Sequence, residues 1–146
     1  MTLTVVDIMS KRLEFIVETA SVQEASKKMK EKNVSSLIIL DENNEPQGLV
    51  TEQDIVRKVC INDVNTSSVT IKEIKSYPLI DIDSNLSPSV AIDKMLQNNV
   101  RHLLVVNKAN VTKPIGIITP LDFTKYEEYT NEDEKNNIEK ILEYYI

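Results

Sequence analysis

The sequence has few cysteine, histidine and glycine residues. Its 146 residues include one cysteine, Cys60, and one histidine, His102. A single cysteine excludes an internal disulfide, and one cysteine with one histidine does not make a Cys/His zinc site. We expect Cys60 to be a small buried residue at the end of a helix. Only two glycines occur, Gly48 and Gly116, so glycine-rich phosphate-binding loops are absent.

Positive charge is also scarce. The 17 lysines and arginines are outnumbered by 23 aspartates and glutamates, which leaves a formal net charge of −6 at pH 7. This balance argues against nucleic acid or an anionic membrane as the main partner. The sequence shows no signal-peptide pattern and no apolar run of bilayer length. We therefore expect a soluble, cytoplasmic protein of about one domain that buries a hydrophobic core.

Both glycines open the same seven-residue motif. The two copies are Gly48-Leu49-Val50-Thr51-Glu52-Gln53-Asp54 and Gly116-Ile117-Ile118-Thr119-Pro120-Leu121-Asp122. Each predicts a short strand ending on a threonine that caps the next helix, with the aspartate in that helix's first turn. A hydroxyl and a carboxylate would then lie together at a strand-to-helix turn. The alternative is that Thr-x-x-Asp is only a capping box, in which the acid reaches back to the cap.

The motif belongs to a longer internal duplication. A shift of 66 residues places nine residues on identical partners, and a shift of 68 aligns the ends of the two copies. The identical pairs are Thr4/Thr70, Ser10/Ser76, Ser21/Ser87, Ala25/Ala91, Lys28/Lys94, Met29/Met95, Asn33/Asn99, Val34/Val100 and Leu37/Leu103, then Pro46/Pro114, Gly48/Gly116, Thr51/Thr119 and Asp54/Asp122. The chain is therefore divided into a repeat over 4–60, a repeat over 70–129 and an extension over 131–146.

Hydrophobic periodicity predicts the order β-α-β-β-α in each repeat, and hence an α+β fold. Ser21 and Ser87 are suited to cap the first helix, which Asn33 and Asn99 would end. The continuous apolar runs 37–40 and 103–106 are typical of strands covered on both faces. The remaining strands are predicted over 13–17, 48–50, 79–83 and 116–118, and the last helices from Gln53 and Leu121.

The extension over 131–146 departs from the repeat. Acidic residues stand where a helix would begin, and Ile138, Ile141, Leu142 and Tyr145 follow at helical spacing. We expect one helix with a single apolar stripe. The stripe would pack either against its own chain or against a partner subunit or client protein.

A repeated β-α-β-β-α unit ending in Gly-x-x-Thr-x-x-Asp resembles the cystathionine-β-synthase (CBS) domain pair, or Bateman module. Residues Asn33-Val34-Ser35-Ser36-Leu37-Ile38-Ile39-Leu40-Asp41, Val100-Arg101-His102-Leu103-Leu104-Val105-Val106 and Val6-Asp7-Ile8-Met9-Ser10 are also typical of it. The resemblance covers residues 4–129. It implies tandem α+β repeats with pseudo-two-fold symmetry, two clefts between the paired repeats, and a homodimer. It also implies an adenosine-type regulatory ligand, AMP, ADP, ATP or S-adenosylmethionine, rather than a required cofactor.

The resemblance further implies a role for each matching residue. Asp54 and Asp122 would accept hydrogen bonds from ribose hydroxyls, with Thr51 and Thr119 beside them. Backbone groups of 11–15, around Leu13, and of 77–80, including Tyr77, Pro78 and Ile80, would meet the adenine edge, and Val34 and Val100 its face. The family's crossed arrangement would pair 11–15 and Val34 with Asp122, and 77–80 and Val100 with Asp54.

The two clefts are not expected to be equal. Arg101 and His102 occupy positions at which the family often places basic phosphate contacts, whereas the first repeat has Ser35 and Ser36 there. A structural role for His102 and a surface ion pair for Arg101 remain the alternatives.

Three classes of function follow. The first is a stand-alone regulatory module that binds an adenine nucleotide and signals to a partner protein in trans. The second is a dimerisation scaffold with unoccupied clefts. The third, an enzyme, is disfavoured because the sequence offers no Ser/His/Asp set, Cys/His pair, metal cluster or glycine-rich loop. We therefore predict neither catalytic nor metal-binding residues.

Overall fold

A computed structural model of the chain describes residues 2–74, 79–109, 111–126 and 131–143, without the side chains of residues 111 and 112. It contains six strands and six α-helices within these residues, with two short 3-10 helices. In chain order they are α1 (Val5–Ile8), β1 (Phe15–Val17), α2 (Val22–Lys32), β2 (Ser36–Leu40), β3 (Pro46–Thr51), α3 (Glu52–Lys58), the first 3-10 helix (Cys60–Asn62), α4 (Ile71–Ile74), β4 (Asp81–Asp83), α5 (Pro88–Asn98), β5 (Leu103–Asn107), β6 (Val111–Ile118), the second 3-10 helix (Pro120–Lys125) and α6 (Glu132–Leu142).

The strands form two three-stranded sheets with the same topology. Their orders are β1-β2-β3 and β4-β5-β6, and in each the first pair is parallel and the second antiparallel. The central strands carry the predicted apolar runs, and 37–39 and 103–106 are buried. The predicted α+β fold with two copies of one unit is therefore confirmed.

The first helix of each repeat is bounded as its capping residues predict. Ser21 caps α2, because its hydroxyl oxygen accepts a hydrogen bond from the Glu24 N–H at 3.1 Å. The Glu24 carboxylate accepts in turn from the Ser21 N–H at 3.4 Å. Helix α5 begins at a proline, where a missing N–H has no cost. Both helices end on asparagines in the left-handed conformation, Asn33 with φ 54° and Asn99 with φ 51°.

The chain divides into two compact units that exchange the short helices preceding the sheets. Unit 1 comprises Met1–Arg12 with Ile80–Ile146, and unit 2 comprises Leu13–Leu79. In unit 1 the N–H that opens α1, on Val5, donates to the carbonyl of Leu86 at 2.8 Å. In unit 2 the equivalent N–H, on Ile71 of α4, donates to the carbonyl of Ala20 at 2.8 Å. Each leading helix is therefore built into the body of the other repeat.

Three features differ from the expectations. Strands β3 and β6 begin earlier than residues 48 and 116, because each ladder continues past a bulge to a proline, Pro46 or Pro114, on an edge strand that tolerates it. In β6 a second irregularity extends the ladder to Val111. The last helices start one residue earlier than predicted, and the second is a 3-10 helix rather than an α-helix. Cys60 is exposed rather than buried, because Val59 takes the buried position at the end of α3.

Helix α6 confirms the expected extension and completes the core of unit 1. Ile138 and Ile141 are fully buried within that core, and Leu142 packs partly against it. Tyr145, predicted on the same stripe, lies outside the described residues. Of the two alternatives for the apolar stripe, packing against its own chain is what the structure shows.

Candidate ligand-binding site

The first Thr-x-x-Asp motif forms a complete capping box at the start of α3. Oδ2 of Asp54 accepts from the Thr51 N–H at 2.9 Å and from the Thr51 hydroxyl at 3.0 Å, and the Asp54 N–H donates to Thr51 Oγ1 at 3.2 Å. The aspartate is 8% exposed. The capping alternative is thus present, and it holds a buried carboxylate in one orientation.

The other oxygen of this carboxylate faces a lysine one turn further along α3. Lys58 Nζ lies 3.3 Å from Asp54 Oδ1 and also donates to the carbonyl of Ile74 at 3.2 Å. Ile74 is the last residue of α4. The lysine therefore links the aspartate to the end of the leading helix within unit 2.

The second motif repeats this arrangement on a tighter helix. Oδ2 of Asp122 accepts from the Thr119 N–H at 2.9 Å and lies 3.5 Å from the Thr119 hydroxyl. Lys125 Nζ lies 3.6 Å from Asp122 Oδ1 and donates to the carbonyl of Ile8, the last residue of α1, at 3.4 Å. The lysine follows the aspartate by three residues here and by four in α3, as 3-10 and α-helical turns require.

Burial also affects the titration of the second carboxyl group. The pKa of Asp122 is raised above its usual 3.8 because the group is withdrawn from water, while the Thr119 N–H and the Lys125 ammonium act in the opposite direction. These contacts do not use the full hydrogen-bonding capacity of the Asp122 carboxylate, which can accept about four hydrogen bonds. Two adjacent hydroxyl groups, such as those of a ribose, are suitable donors for the remaining capacity.

The glycine that opens the second motif is required by close packing. A Cβ atom on Gly116 would lie 2.4 Å from Met9 Sδ and 2.8 Å from the Ser10 carbonyl oxygen. The segment after α1 runs alongside β6 here, with Ser10 and Ile117 exchanging two backbone hydrogen bonds of 2.9 Å. Glycine thus allows the leading segment of the first repeat to reach the strand that leads into Thr119 and Asp122.

The remaining predicted residues of unit 1 lie around the second sheet. Arg101 and His102 are half-buried immediately before β5, whose first residue pairs with Ile118, the residue before Thr119. Val100 and Ile80 pack against the hydrophobic core, and the Ile80 carbonyl accepts from the Leu104 N–H at 2.9 Å.

Unit 2 contains the other predicted residues that the structure describes. Leu13 is half-buried ahead of β1, and Val34 packs against the core beside the end of α2. Tyr77 and Pro78 lie outside the described residues. The predicted adenine contacts of all these residues are not tested by the geometry and stay predictions.

Sequence reasoning missed the two lysines. Lys58 and Lys125 each form an ion pair with a motif aspartate and donate a hydrogen bond to the last carbonyl of a leading helix. They do not align under the 68-residue shift. The available signal was a basic residue one turn after the acid, a spacing that places the two side chains together.

The described residues contain neither a candidate metal site nor a membrane-spanning helix. Among them, no group of three or more His, Cys, Asp or Glu side chains is arranged to hold a metal ion. No helix of the described part is long and apolar enough to cross a membrane.

Comparison with known families identifies the repeated unit. A family model for the CBS domain matches residues 5–60 and 71–129. The chain belongs to the CBS domain family. Both Thr-x-x-Asp motifs fall within the matched CBS repeats, whereas α6 lies outside them.

Proteins from other organisms resemble the chain over most of its length. Protein MK0525 of Methanopyrus kandleri is 32% identical over 127 residues, which cover 85% of this chain and 64% of that relative. The chain thus spans less than two thirds of that relative's length. The hexameric CBS-CP12 protein of bloom-forming cyanobacteria has a TM-score of 0.79 and 27% identity, covering 96% of this chain and 78% of that one.

One similar structure contains ligands. The CBS domain pair of protein MJ0100 was solved in complex with 5′-methylthioadenosine and S-adenosyl-L-methionine. Its TM-score is 0.74 at 25% identity, and the match covers 90% of this chain and all of that one.

Proposed function

We propose that the chain is a regulatory CBS pair that binds an adenosyl ligand at its Thr-x-x-Asp motifs and signals to a partner protein in trans. The observation that carries the proposal is a buried aspartate held in the same way in both repeats. The complex of the MJ0100 pair with two adenosyl compounds supports the ligand class. The ligand would be AMP, ADP, ATP or S-adenosylmethionine.

The carboxylates suit ribose recognition because a backbone N–H already holds one oxygen of each carboxylate in place. The Thr119 N–H holds Oδ2 of Asp122, so the orientation of Oδ1 is set before a ligand arrives. The Lys125 side chain beside Oδ1 is 59% exposed, so its ammonium is able to move aside for ribose hydroxyls. A hydrogen bond to a charged acceptor contributes about 1.5–3 kcal/mol, and withdrawal from water strengthens it.

Arg101 and His102 would favour ligands that carry phosphate. A guanidinium donates two parallel hydrogen bonds to phosphate oxygens, which Ser35 and Ser36 of the first repeat do not reproduce. We expect Arg101→Ala to lower the affinity for AMP or ATP more than the affinity for adenosine. Equal losses for all three ligands would indicate that Arg101 supports the fold instead.

A thermal-shift panel tests the proposal. A ligand that binds only the folded state at 100 times its Kd stabilises it by about 2.7 kcal/mol. For a chain of this length that corresponds to a rise in Tm of about 5–10 °C. The panel comprises adenosine, 5′-methylthioadenosine, S-adenosylmethionine, AMP, ADP and ATP, with the double variant Asp54→Asn/Asp122→Asn as the matched control.

At least one adenosyl compound should raise the Tm of the wild-type chain by this amount and raise that of the double variant by much less. No response to any compound would instead favour the dimerisation scaffold. The scaffold has its own support, because both aspartates act as capping residues.

The remaining parts of the proposal concern assembly and chemistry. We propose a homodimer in the cytoplasm that performs no catalysis. Light scattering at micromolar concentration tests the dimer, and a higher assembly would instead resemble the cyanobacterial hexamer. Chromatography of nucleotides incubated with the chain tests for turnover, which would have to disappear in Asp122→Asn to indicate an enzyme.

A further inference from the structure

The second 3-10 helix, Pro120–Lys125, carries the candidate ligand residue and its packing residues on different faces. Residues three apart in such a helix lie one above the other. Asp122 and Lys125 therefore share one face, on which the ammonium lies 3.6 Å from the carboxylate. Phe123 and Tyr126, each one residue further along the chain, share a second face. Because Asp122 and Phe123 are adjacent in the chain, a rotation of the helix about its axis moves both faces together.

Helix α6 packs on the second face. Phe123 is fully buried there in one cluster with Ile138 and Ile141 of α6. At the end of the same face, the Tyr126 hydroxyl donates a hydrogen bond of 2.9 Å to Glu134 Oε2 in the first turn of α6. An apolar contact and a hydrogen bond thus fix the rotation of the 3-10 helix about its axis. The orientation of the candidate carboxylate therefore depends on α6.

The motif helix of unit 2 is held differently. Ile55 of α3 corresponds to Phe123 under the 68-residue shift, and it packs partly buried against the core of unit 2. Lys58 corresponds to Tyr126 and pairs instead with Asp54. Helix α6 lies outside the duplicated repeats. Support of the kind that α6 gives is therefore specific to the second motif.

We propose that α6 positions the 3-10 helix for ligand binding at Asp122, so that packing of α6 and occupation of this site stabilise each other. The ligand part of this inference rests on the proposed function and adds its regulation, because an occupied site would be reported as tighter packing of α6. Such coupling is reciprocal, and it typically changes each equilibrium by about 5- to 150-fold. Phe123 and Tyr126 are positioning residues, since they act on the ligand through the helix that carries Asp122.

An experiment without ligand tests the mechanical part. Hydrogen exchange of the α6 backbone is followed by mass spectrometry, with β5 of the same unit as the reference that global destabilisation would accelerate equally. Asp122→Ala removes the contact that the carboxylate makes with the Thr119 N–H. We expect α6 to exchange about fivefold faster relative to β5, as follows from one lost capping contact. Asp54→Ala is the matched control, because it removes the same contact in unit 2 and should leave α6 unchanged.

Calorimetry in an Asp54→Asn background, which retains only the second motif aspartate, tests the ligand part. The probes are S-adenosylmethionine, AMP and ATP. Tyr126→Phe and Glu134→Ala should each lower the affinity about fivefold, the lower end of typical coupling. Glu139→Ala should retain the affinity, since Glu139 is exposed on the same helix. A saturating probe should slow α6 exchange by a similar factor in this background, and by much less in Asp122→Asn at the same concentration.

Two kinds of result would overturn the inference. The first is α6 exchange that Asp122→Ala does not change relative to β5, or that Asp54→Ala changes equally. The second is a probe that binds the chain but leaves α6 exchange unchanged, or whose affinity is the same in Tyr126→Phe and Glu134→Ala as in their parent. If no probe binds the wild type, the proposed function fails and the ligand part fails with it. The mechanical part is then decided by the exchange experiment without ligand.

Discussion

Truncation of one α6 side chain tests whether this helix belongs to the core of unit 1. Ile141 is fully buried in the same cluster as Val5, Ile92 and Phe123. Replacing a buried isoleucine with alanine costs about 2–5 kcal/mol, because transfer energy is lost and a cavity remains. We therefore expect Ile141→Ala to lower the Tm by about 5–15 °C for a chain of this length.

Circular dichroism melts of Ile141→Ala beside Ile61→Ala provide the measurement. Ile61 is 71% exposed, so the same truncation there should change stability by no more than about 0.5 kcal/mol. Equal Tm values for the two variants would refute the assignment of α6 to the core. They would then indicate that the extension is available to bind other proteins.

Three further predictions concern single residues. Gly116→Ala should lower the free energy of unfolding by about 1–3 kcal/mol, because the new Cβ would meet the backbone carbonyl of Ser10. An unchanged midpoint of urea denaturation would contradict the close approach of Ser10 to Gly116. Because burial raises the pKa of Asp122 above 3.8, the folded state binds a proton at a higher pH than the unfolded state. The stability of the wild type relative to Asp122→Asn should therefore increase as the pH falls through that raised pKa towards 3.8, and parallel pH profiles of the two proteins would refute this. Burial and the hydrogen bond to Glu134 raise the pKa of Tyr126 to about 12, so the free energy of unfolding should fall between pH 10 and 12. The difference between the ultraviolet titrations of the wild type and Tyr126→Phe should show one tyrosine that ionises near pH 12.

Local signals predicted the repeated elements well. Capping residues such as Ser21 and left-handed asparagines such as Asn33 act within a few residues, so their effect is visible in the sequence. The apolar runs of β2 and β5 likewise reflect burial on both faces of a sheet. The duplication then allowed each feature of one repeat to support its counterpart in the other.

Long-range features were harder to predict. The contact between Lys125 and the Ile8 carbonyl joins residues 117 positions apart, and no periodicity encodes it. The close approach of Ser10 to Gly116 is of the same kind, and only the presence of glycine hinted at it. Cys60 was placed wrongly because α3 ends at Lys58 and Val59 takes the buried position after it, so that Cys60 begins the 3-10 helix exposed.

The candidate site was predicted in part. Sequence reasoning located both Thr-x-x-Asp motifs and recognised that capping alone would explain them. The structure adds that capping uses mainly Oδ2, while a lysine faces Oδ1 in each copy. Which oxygen contacts which partner depends on side-chain geometry and cannot be read from spacing.

Calorimetric titration of adenosyl ligands into single aspartate variants tests the central proposal most directly. The proteins are the wild type, Asp54→Asn, Asp122→Asn and the control Asp63→Asn. Asp63 is an exposed residue with φ 51°, a conformation that asparagine also adopts. If the proposal is correct, S-adenosylmethionine or an adenine nucleotide will bind the wild type and the control equally, and Asp122→Asn about ten- to a hundredfold more weakly. Equal affinities for all four proteins, or no binding of any ligand, would contradict it.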